Sequence, residues 1–323
     1  MISARTQATL MLTLRLDAEA TADLKPLETR EWNKLARWLR DRDLAPEDLV
    51  AGNPGVALEE WDDSRIERDR LLRLLGRGPV LALKLERWLG SGIWVIGRSD
   101  AEYPVRLKHH LGDSAPPLLF GYGEQQVLQR RGIAIVGSRD ASPADMSLAE
   151  QLGAAVSEAG YATISGGARG IDQRAAKGAL ERGGPVVTIL ADAMMRAANR
   201  KEYRDRLLRG HLTLLTPYSP EAGFSAGNAM GRNRLIYCLS GAAVAVSSAP
   251  GKGGTFGGAV EALNKGWVPV WTVPNDDPAS GNTLLIAKGA GVLPPLTGLD
   301  VKALFDGVVP SRQPDAAQTS FIE

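Results

Sequence analysis

Short apolar runs alternate with helical patterns from residue 91 onward. Five such runs occupy 133–136, 161–164, 185–190, 212–215 and 242–247, and glycine or another turn residue follows most of them. Between the runs, apolar residues recur at the three-to-four-residue spacing of an amphipathic helix. Strands that alternate with helices are typical of βαβ units, in which crossover helices join parallel strands. The pattern therefore predicts an α/β fold with a doubly wound, mostly parallel sheet.

The first 90 residues follow a different pattern, rich in Leu, Arg, Glu and Trp and poor in β-branched residues. Trp32, Leu35, Trp38 and Leu39 share one face of a predicted helix. Two further helices are expected on either side of a glycine turn at 76–79. Such a hairpin either holds a nucleic-acid backbone through its turn amides or packs within a helical bundle, and the sequence leaves both interpretations open.

The change of pattern predicts three segments in this chain of 323 residues. We expect a small all-helical domain over 1–90 and an α/β core domain over 91–300. Residues 301–323 lack a regular apolar pattern, which predicts a disordered tail.

Composition and charge narrow the possible classes of protein. Lys and Arg number 38 against 37 for Asp and Glu, so the net charge of +1 gives no hint of a nucleic-acid partner. No apolar run is long enough to cross a bilayer, and no membrane partner is expected. Cys238 is the single cysteine, which excludes an intrachain disulfide and favours a reducing, cytoplasmic location. One cysteine and three histidines form no zinc pattern, so no metal is expected.

Three predicted strands are followed by glycine-rich loops, at 137–139, 165–170 and 251–255. Because the carboxyl ends of parallel strands meet at one edge of the sheet, these loops should face a common crevice. Glycine-freed amides, helix N-termini and arginine forks together suit phosphate or another anion. The alternative is that the glycines only make tight strand-to-helix turns.

Candidate DNA- or phosphate-binding residues come from these loops and from the start of a later helix. They are Gly137, Ser138, Arg139, Ser165, Gly166, Gly167, Arg169, Gly170, Arg232, Asn233, Arg234 and Lys252. No loop matches a Walker A or GxGxxG pattern, and no cofactor is expected. Asp172 and Glu261 are the candidate carboxylates, but no acid–base pair is visible. The site is therefore predicted to bind without catalysis.

The order of the motifs resembles the DprA (Smf) family of DNA-processing proteins. The segments that carry the resemblance are SDAEYPVRLKHHLGDSAPPLLFGYG, GIAIVGSRDAS, SGGARGIDQRAAKGAL, GRNRLIYCLS and VPVWTVP, within 91–295. The helical N-terminal segment is also similar, more weakly, to the family's sterile-alpha-motif-like or helix-hairpin-helix region. The winged helix that ends many family members is not expected here, because about 30 residues follow the core.

The resemblance implies an extended Rossmann-like fold that binds single-stranded DNA. It also implies a homodimer that loads a RecA-type recombinase during natural transformation. By the family's motifs, Arg139, Arg169, Arg232 and Arg234 would contact phosphates, and amides of the glycines in the 165–170 loop would assist. Phe256 is one of few aromatic residues near these loops, so a base-stacking platform is not expected.

Two loops depart from the family's pattern and leave other functions open. Residues 191–193 read Ala-Asp-Ala where the family has a Gly-Cys-Gly turn. Residues 253–255 read Gly-Gly-Thr, which is similar to the LOG family of nucleotide N-glycosidases. Those enzymes place a glutamate shortly after the threonine, where this chain has Gly257 and Gly258. The alternatives are a nucleotide-signal sensor of a bacterial defence system and, less favoured, a LOG-type N-glycosidase.

Overall fold

The computed structural model describes residues 2–16, 24–200, 203, 206–207, 210–251 and 253–307. Within these residues the strands form one nine-stranded sheet. In chain order they are β1 (Ile93–Gly97), β2 (Leu118–Tyr122), β3 (Gly132–Gly137), β4 (Ala162–Ser165), β5 (Val186–Ile189), β6 (Leu212–Thr216), β7 (Ala242–Ser247), β8 (Val270–Thr272) and β9 (Gly291–Val292).

Six described helices precede the sheet, and seven lie between or beside its strands. The first six are α1 (Ala4–Thr13), α2 (Thr29–Arg40), α3 (Asp48–Ala51), α4 (Pro54–Ala57), α5 (Arg68–Leu75) and α6 (Gly78–Gly90). The others are α7 (Val105–Leu111), α8 (Pro143–Glu158), α9 (Ile171–Glu181), α10 (Met194–Ala198), α11 (Ala226–Leu239), α12 (Gly254–Lys265) and α13 (Gly281–Ala287).

The strand order is β1-β2-β6-β5-β4-β3-β7-β8-β9. The strands from β6 to β9 in this order are parallel, whereas β1 and β2 are antiparallel additions at one side. The chain runs from β3 outward to β6 and then returns to place β7 on the other side of β3. This reversal creates a switch point between β3 and β7, where the loops after the two strands diverge and leave a crevice. The predicted doubly wound, mostly parallel α/β fold is confirmed.

Local sequence explains the helix that follows β3. The Ser142 hydroxyl accepts a hydrogen bond from the Asp145 amide at 3.1 Å, and Pro143 occupies the first turn of α8. A hydroxyl cap followed by proline satisfies one free amide and sets φ for the helix. The inward face of α8 buries Leu152 and Val156 against the sheet, as their spacing predicts.

The N-terminal helices pack on one face of the sheet. Trp32, Leu35 and Leu39 are buried in a core that continues to the sheet, where the Trp88 ring meets Phe120 edge-on at 5.5 Å. The glycine turn between α5 and α6 serves this packing, because the buried Arg77 guanidinium donates to carbonyl oxygens of the bundle. The predicted hairpin is thus present, with its arginine turned inward. The division into separate domains at residue 90 stays a prediction.

The prediction of a disordered tail is wrong for its first residues. Residues 302–306 form a 3₁₀ turn whose Leu304 and Phe305 side chains are buried. The Trp271 indole donates to the Leu304 carbonyl at 2.9 Å, and the Arg131 guanidinium lies 4.1 Å from the Phe305 ring centroid. Burial of these apolar side chains keeps the turn on the core. Residues 308–323 lie outside the described residues.

Candidate nucleic-acid interface

A cavity of about 470 Å³ lies at the switch point of the sheet. Its walls come from the residues that follow β3, from the glycine loop before α12, and from the first half of α11. The cavity therefore opens at the carboxyl edge of the parallel strands, where the sequence predicts the crevice. Of the predicted site residues, those on the cavity wall are Gly137, Ser138, Arg139, Arg232 and Asn233.

The loops after β3 and β4 are locked together by backbone contacts. The Ile171 amide donates to the Ser138 carbonyl at 3.3 Å. Gly170 has φ of +88°, and a Cβ at this position would lie 2.4 Å from the same carbonyl oxygen. Only glycine combines this backbone conformation with such a close approach. Gly170 thus holds the two loops in contact.

Arg232 lies inside the cavity wall with its guanidinium against the backbone of Gly166. A Cβ on Gly166 would lie 1.4 Å from Arg232 Nη1, so glycine leaves the space that the guanidinium occupies. The Arg232 side chain is 7% exposed, and its Nε is buried without a hydrogen-bond partner among the described residues. A buried donor without a partner costs free energy, so holding Arg232 in the cavity wall is energetically demanding.

Asp172, at the start of α9, supplies the opposite charge beside Arg232. Its Oδ2 accepts hydrogen bonds from the Gly166 amide at 2.9 Å and the Ala168 amide at 3.4 Å. Burial raises the pKa of Asp172 to about 6, although the Arg232 charge and these amides favour the carboxylate. Burial likewise lowers the pKa of the Arg232 guanidinium, which the Asp172 charge opposes. The inner cavity is therefore close to electrically balanced near neutral pH.

The amides of Gly166 and Gly167 in the 165–170 loop are engaged within the protein. The Gly166 amide donates to Asp172, and the Gly167 amide donates to the hydroxyl of the buried Ser165 at 3.4 Å. The expectation that these two amides are free for phosphate is wrong, because a carboxylate and a hydroxyl already accept from them. Gly166 also leaves the space that the Arg232 guanidinium occupies.

The remaining predicted arginines lie in three different surroundings. Arg139 is exposed at the cavity mouth and forms no ion pair within the described part of the chain. Arg169 is also exposed, and its guanidinium donates to the Asp140 carboxylate. Arg234 does not line the cavity and instead pairs with Glu261 at 2.8 Å. Among the described residues, Arg139 is therefore the exposed cation best placed for an anion at the mouth.

Hydrogen bonds join the third glycine loop to β3 and α11. The Thr255 hydroxyl donates to the Gly137 carbonyl at 3.1 Å, and the Asn233 side-chain amide donates to the Gly254 carbonyl at 3.2 Å. Asn233 thus supports the cavity wall and lines the cavity at the same time. Lys252, the predicted cation of this loop, lies outside the described residues.

Two apolar residues at the cavity escaped the sequence analysis. Phe224 is 66% exposed and Met230 is 71% exposed, and both line the cavity. Phe256, the aromatic residue expected near the loops, is instead buried in the core at 8% exposure. The sequence did contain a signal for Phe224, since it is an aromatic residue in a polar, Gly- and Ser-rich segment before α11. Such a segment contributes few residues to a hydrophobic core, so an aromatic side chain within it is a candidate for ligand contact.

The described ranges offer neither a metal-binding cluster nor a membrane-spanning helix. No group of three or more His, Cys, Asp or Glu side chains there is arranged to hold a metal ion. None of the helices within those ranges has both the length and the apolar character needed to cross a bilayer.

Comparison with known proteins gives consistent results at the levels of sequence and fold. The model of the family "DNA recombination-mediator protein A" matches residues 94–300. The DNA processing protein DprA of Bacillus subtilis (strain 168) is 28% identical over 218 residues, which is 66% of this chain and 72% of the relative. A putative DNA processing protein DprA of Mycobacterium tuberculosis is 31% identical over 210 residues. That alignment covers 61% of this chain but about half, 51%, of the relative's length.

Two solved structures share the fold. The X-ray structure of DNA processing protein A from Streptococcus pneumoniae matches with a TM-score of 0.70 at 20% identity, covering 90% of this chain and 95% of that chain. DNA processing protein A from Helicobacter pylori, described for its single-stranded DNA binding mode, matches with a TM-score of 0.55 at 21% identity. This second match covers 67% of this chain and 97% of that chain.

Proposed function

The chain belongs to the family of DNA recombination-mediator protein A, and we propose from this premise that its switch-point cavity binds single-stranded DNA. The observation that carries the proposal is the meeting of two kinds of group at the cavity. Arg139, without an ion pair among the described residues, lies at the mouth with the exposed side chains of Phe224 and Met230. Guanidinium groups bind phosphate, and aromatic faces stack on unpaired bases.

The geometry favours an unpaired strand over a duplex. Bases in a duplex are stacked on one another, so a side chain such as Phe224 has no free base face to contact. In a single strand, a phosphate on Arg139 leaves its base free to reach Phe224 or the cavity interior. Arg232 lines the same cavity and is a second guanidinium in its wall.

We extend the proposal to a recombination mediator that acts without catalysis as a homodimer. The name of the matching family supports a role in recombination. Delivery of the strand to a RecA-type recombinase in the cytoplasm, as in natural transformation, is part of the proposal. Binding without hydrolysis is supported by the partners of the nearby carboxylates, which are already engaged within the protein. Glu261 is engaged with Arg234, and Asp172 is buried while it accepts backbone amides.

Fluorescence anisotropy tests the proposal by comparing the affinity of the protein for labelled oligo-dT with its affinity for the matching duplex. We expect the single strand to bind more tightly than the duplex. The slope of log affinity against log salt concentration should decrease in magnitude by about 0.7 for each phosphate contact that a substitution removes. Equal affinity for the duplex, or a lack of binding at low salt, would contradict the proposal.

Three further assays separate the alternative functions. A mononucleotide that raises the melting temperature of a protein with no affinity for oligonucleotides would favour a nucleotide sensor. Release of base from nucleoside monophosphates would favour an N-glycosidase. For the mediator role, the protein should speed assembly of RecA on a strand coated with single-strand-binding protein, and no acceleration would limit the function to strand binding.

A further inference from the structure

The loop between β6 and α11, residues 217–225, forms part of the cavity rim and is called the rim segment here. It carries Phe224, which is 66% exposed beside the cavity. Its last residue, Ser225, caps α11 by accepting a hydrogen bond from the Asn228 amide at 3.4 Å. The position of this segment therefore determines where Phe224 lies relative to the cavity.

Glu221 joins the rim segment to helix α6 of the N-terminal region. Its carboxylate accepts a hydrogen bond from the Lys84 ammonium group, lies 3.1 Å from Arg87 Nη1 and accepts from the Trp88 indole at 3.4 Å. The Glu221 side chain is 25% exposed and that of Lys84 is 23% exposed. A half-buried carboxylate with three donors on one helix is a fixed contact, unlike a solvated surface ion pair.

Backbone hydrogen bonds hold the segment on both sides of Glu221. The Met195 amide donates to the Pro220 carbonyl at 3.1 Å, and the Ala193 amide donates to the Ala222 carbonyl at 2.8 Å. Both donors belong to the loop and short helix that follow β5. Helix α6 therefore also holds the rim segment, through the Glu221 side chain. Glu221 lies three residues before Phe224 in the chain.

We propose that Glu221 is a positioning residue through which the N-terminal helices set the affinity of the nucleic-acid site. The carboxylate does not line the cavity. It fixes the rim segment so that the Phe224 ring stays where an unpaired base can stack on it. This inference rests on the proposed function, since it assigns a role to the N-terminal helices at the same site.

Replacement of Glu221 should change base contact while it leaves phosphate contact intact. We expect Glu221→Ala to weaken binding of oligo-dT by about three- to tenfold, a part of the effect of one lost base stack. The salt slope should stay unchanged, because no phosphate contact is lost. With an oligonucleotide that carries 2-aminopurine, the quenching caused by stacking should decrease. Glu221→Gln, which keeps an acceptor for Trp88, should give an intermediate effect.

A double-mutant cycle and a matched control separate positioning from general destabilisation. In a Phe224→Ala background, Glu221→Ala should have no additional effect, because the ring that it positions is absent. The control is Glu47→Ala, which removes a comparable two-bond ion pair with Arg5 inside the N-terminal helices, at 2.6 and 2.7 Å, away from the rim segment. It should leave affinity and quenching unchanged.

Hydrogen exchange tests the contact without any ligand. Glu221→Ala should accelerate exchange of the amides in 217–225, whereas Glu47→Ala should not. Unchanged exchange, unchanged affinity of Glu221→Ala, or additive losses with Phe224→Ala would each overturn the inference. If exchange accelerates as expected but the unaltered protein binds no oligonucleotide, the proposed function fails and with it the role assigned to Glu221.

Discussion

Gly166→Ala is a direct test of how the buried arginine of the cavity is held. The new Cβ would lie 1.4 Å from Arg232 Nη1 and 2.5 Å from its Cζ. Ordinary contact begins at about 3.4 Å, so the guanidinium nitrogen has to move by about 2 Å. Because Arg232 is only 7% exposed, this movement takes place in a packed wall and not in solvent.

The displacement should affect both stability and binding. Overpacking of a closely packed site costs about 1–3 kcal/mol, and moving the guanidinium leaves the buried Asp172 carboxylate less well compensated. We therefore expect the free energy of unfolding to fall by about 2 kcal/mol. If Arg232 contacts a phosphate, the salt slope of oligo-dT binding should also lose about 0.7.

Urea unfolding and the salt series measure these two effects, with Gly257→Ala as the control. Gly257 is an exposed residue in α12 with no atom within 4 Å of the added Cβ. Alanine there should stabilise the helix by about 0.5–1 kcal/mol and leave binding unchanged. A Gly166→Ala protein with the wild-type unfolding midpoint and salt slope would refute the close contact between Gly166 and Arg232.

Three further predictions concern the charges at the cavity. Arg139→Ala should lower the salt slope of oligo-dT binding by about 0.7, whereas Arg234→Ala, whose partner is Glu261, should not; equal losses would contradict the assignment. Asp140→Asn should tighten binding about two- to fivefold by releasing Arg169, an exposed contact of modest strength, and the gain should vanish in an Arg169→Ala background. As pH falls through about 6, protonation of Asp172 leaves the Arg232 charge less opposed, so oligonucleotide affinity should rise. Asp172→Asn should remove this component, and an identical pH profile in both proteins would contradict the role of the carboxylate.

Sequence patterns were sufficient to predict the sheet and the location of the cavity. Strand and helix periods differ clearly, and the carboxyl ends of parallel strands share one edge, so the glycine loops were correctly placed together. The start of α8 at Ser142 and Pro143 is likewise a local feature, because capping depends on neighbouring residues alone.

Side-chain partners could not be predicted with the same success. Arg232 and Arg234 are only two residues apart in sequence, but two residues along a helix correspond to about 200° of rotation. One side chain therefore enters the cavity wall, and the other meets Glu261. The pairing of Arg169 with Asp140 joins two loops that come from different strands. Such contacts depend on tertiary structure, which a single sequence does not encode in any local pattern.

The antiparallel addition of β1 and β2 has a consequence for the order of folding during synthesis. Phe120 of β2 pairs with Thr216 of β6, which is 96 residues later in the chain. The core of the N-terminal helices includes Leu212 and Leu214 of that same strand. The helices are local and can form as soon as they leave the ribosome, but their apolar faces stay uncovered until β6 emerges. In the interval, the nascent chain should be a substrate for chaperones that bind exposed apolar segments.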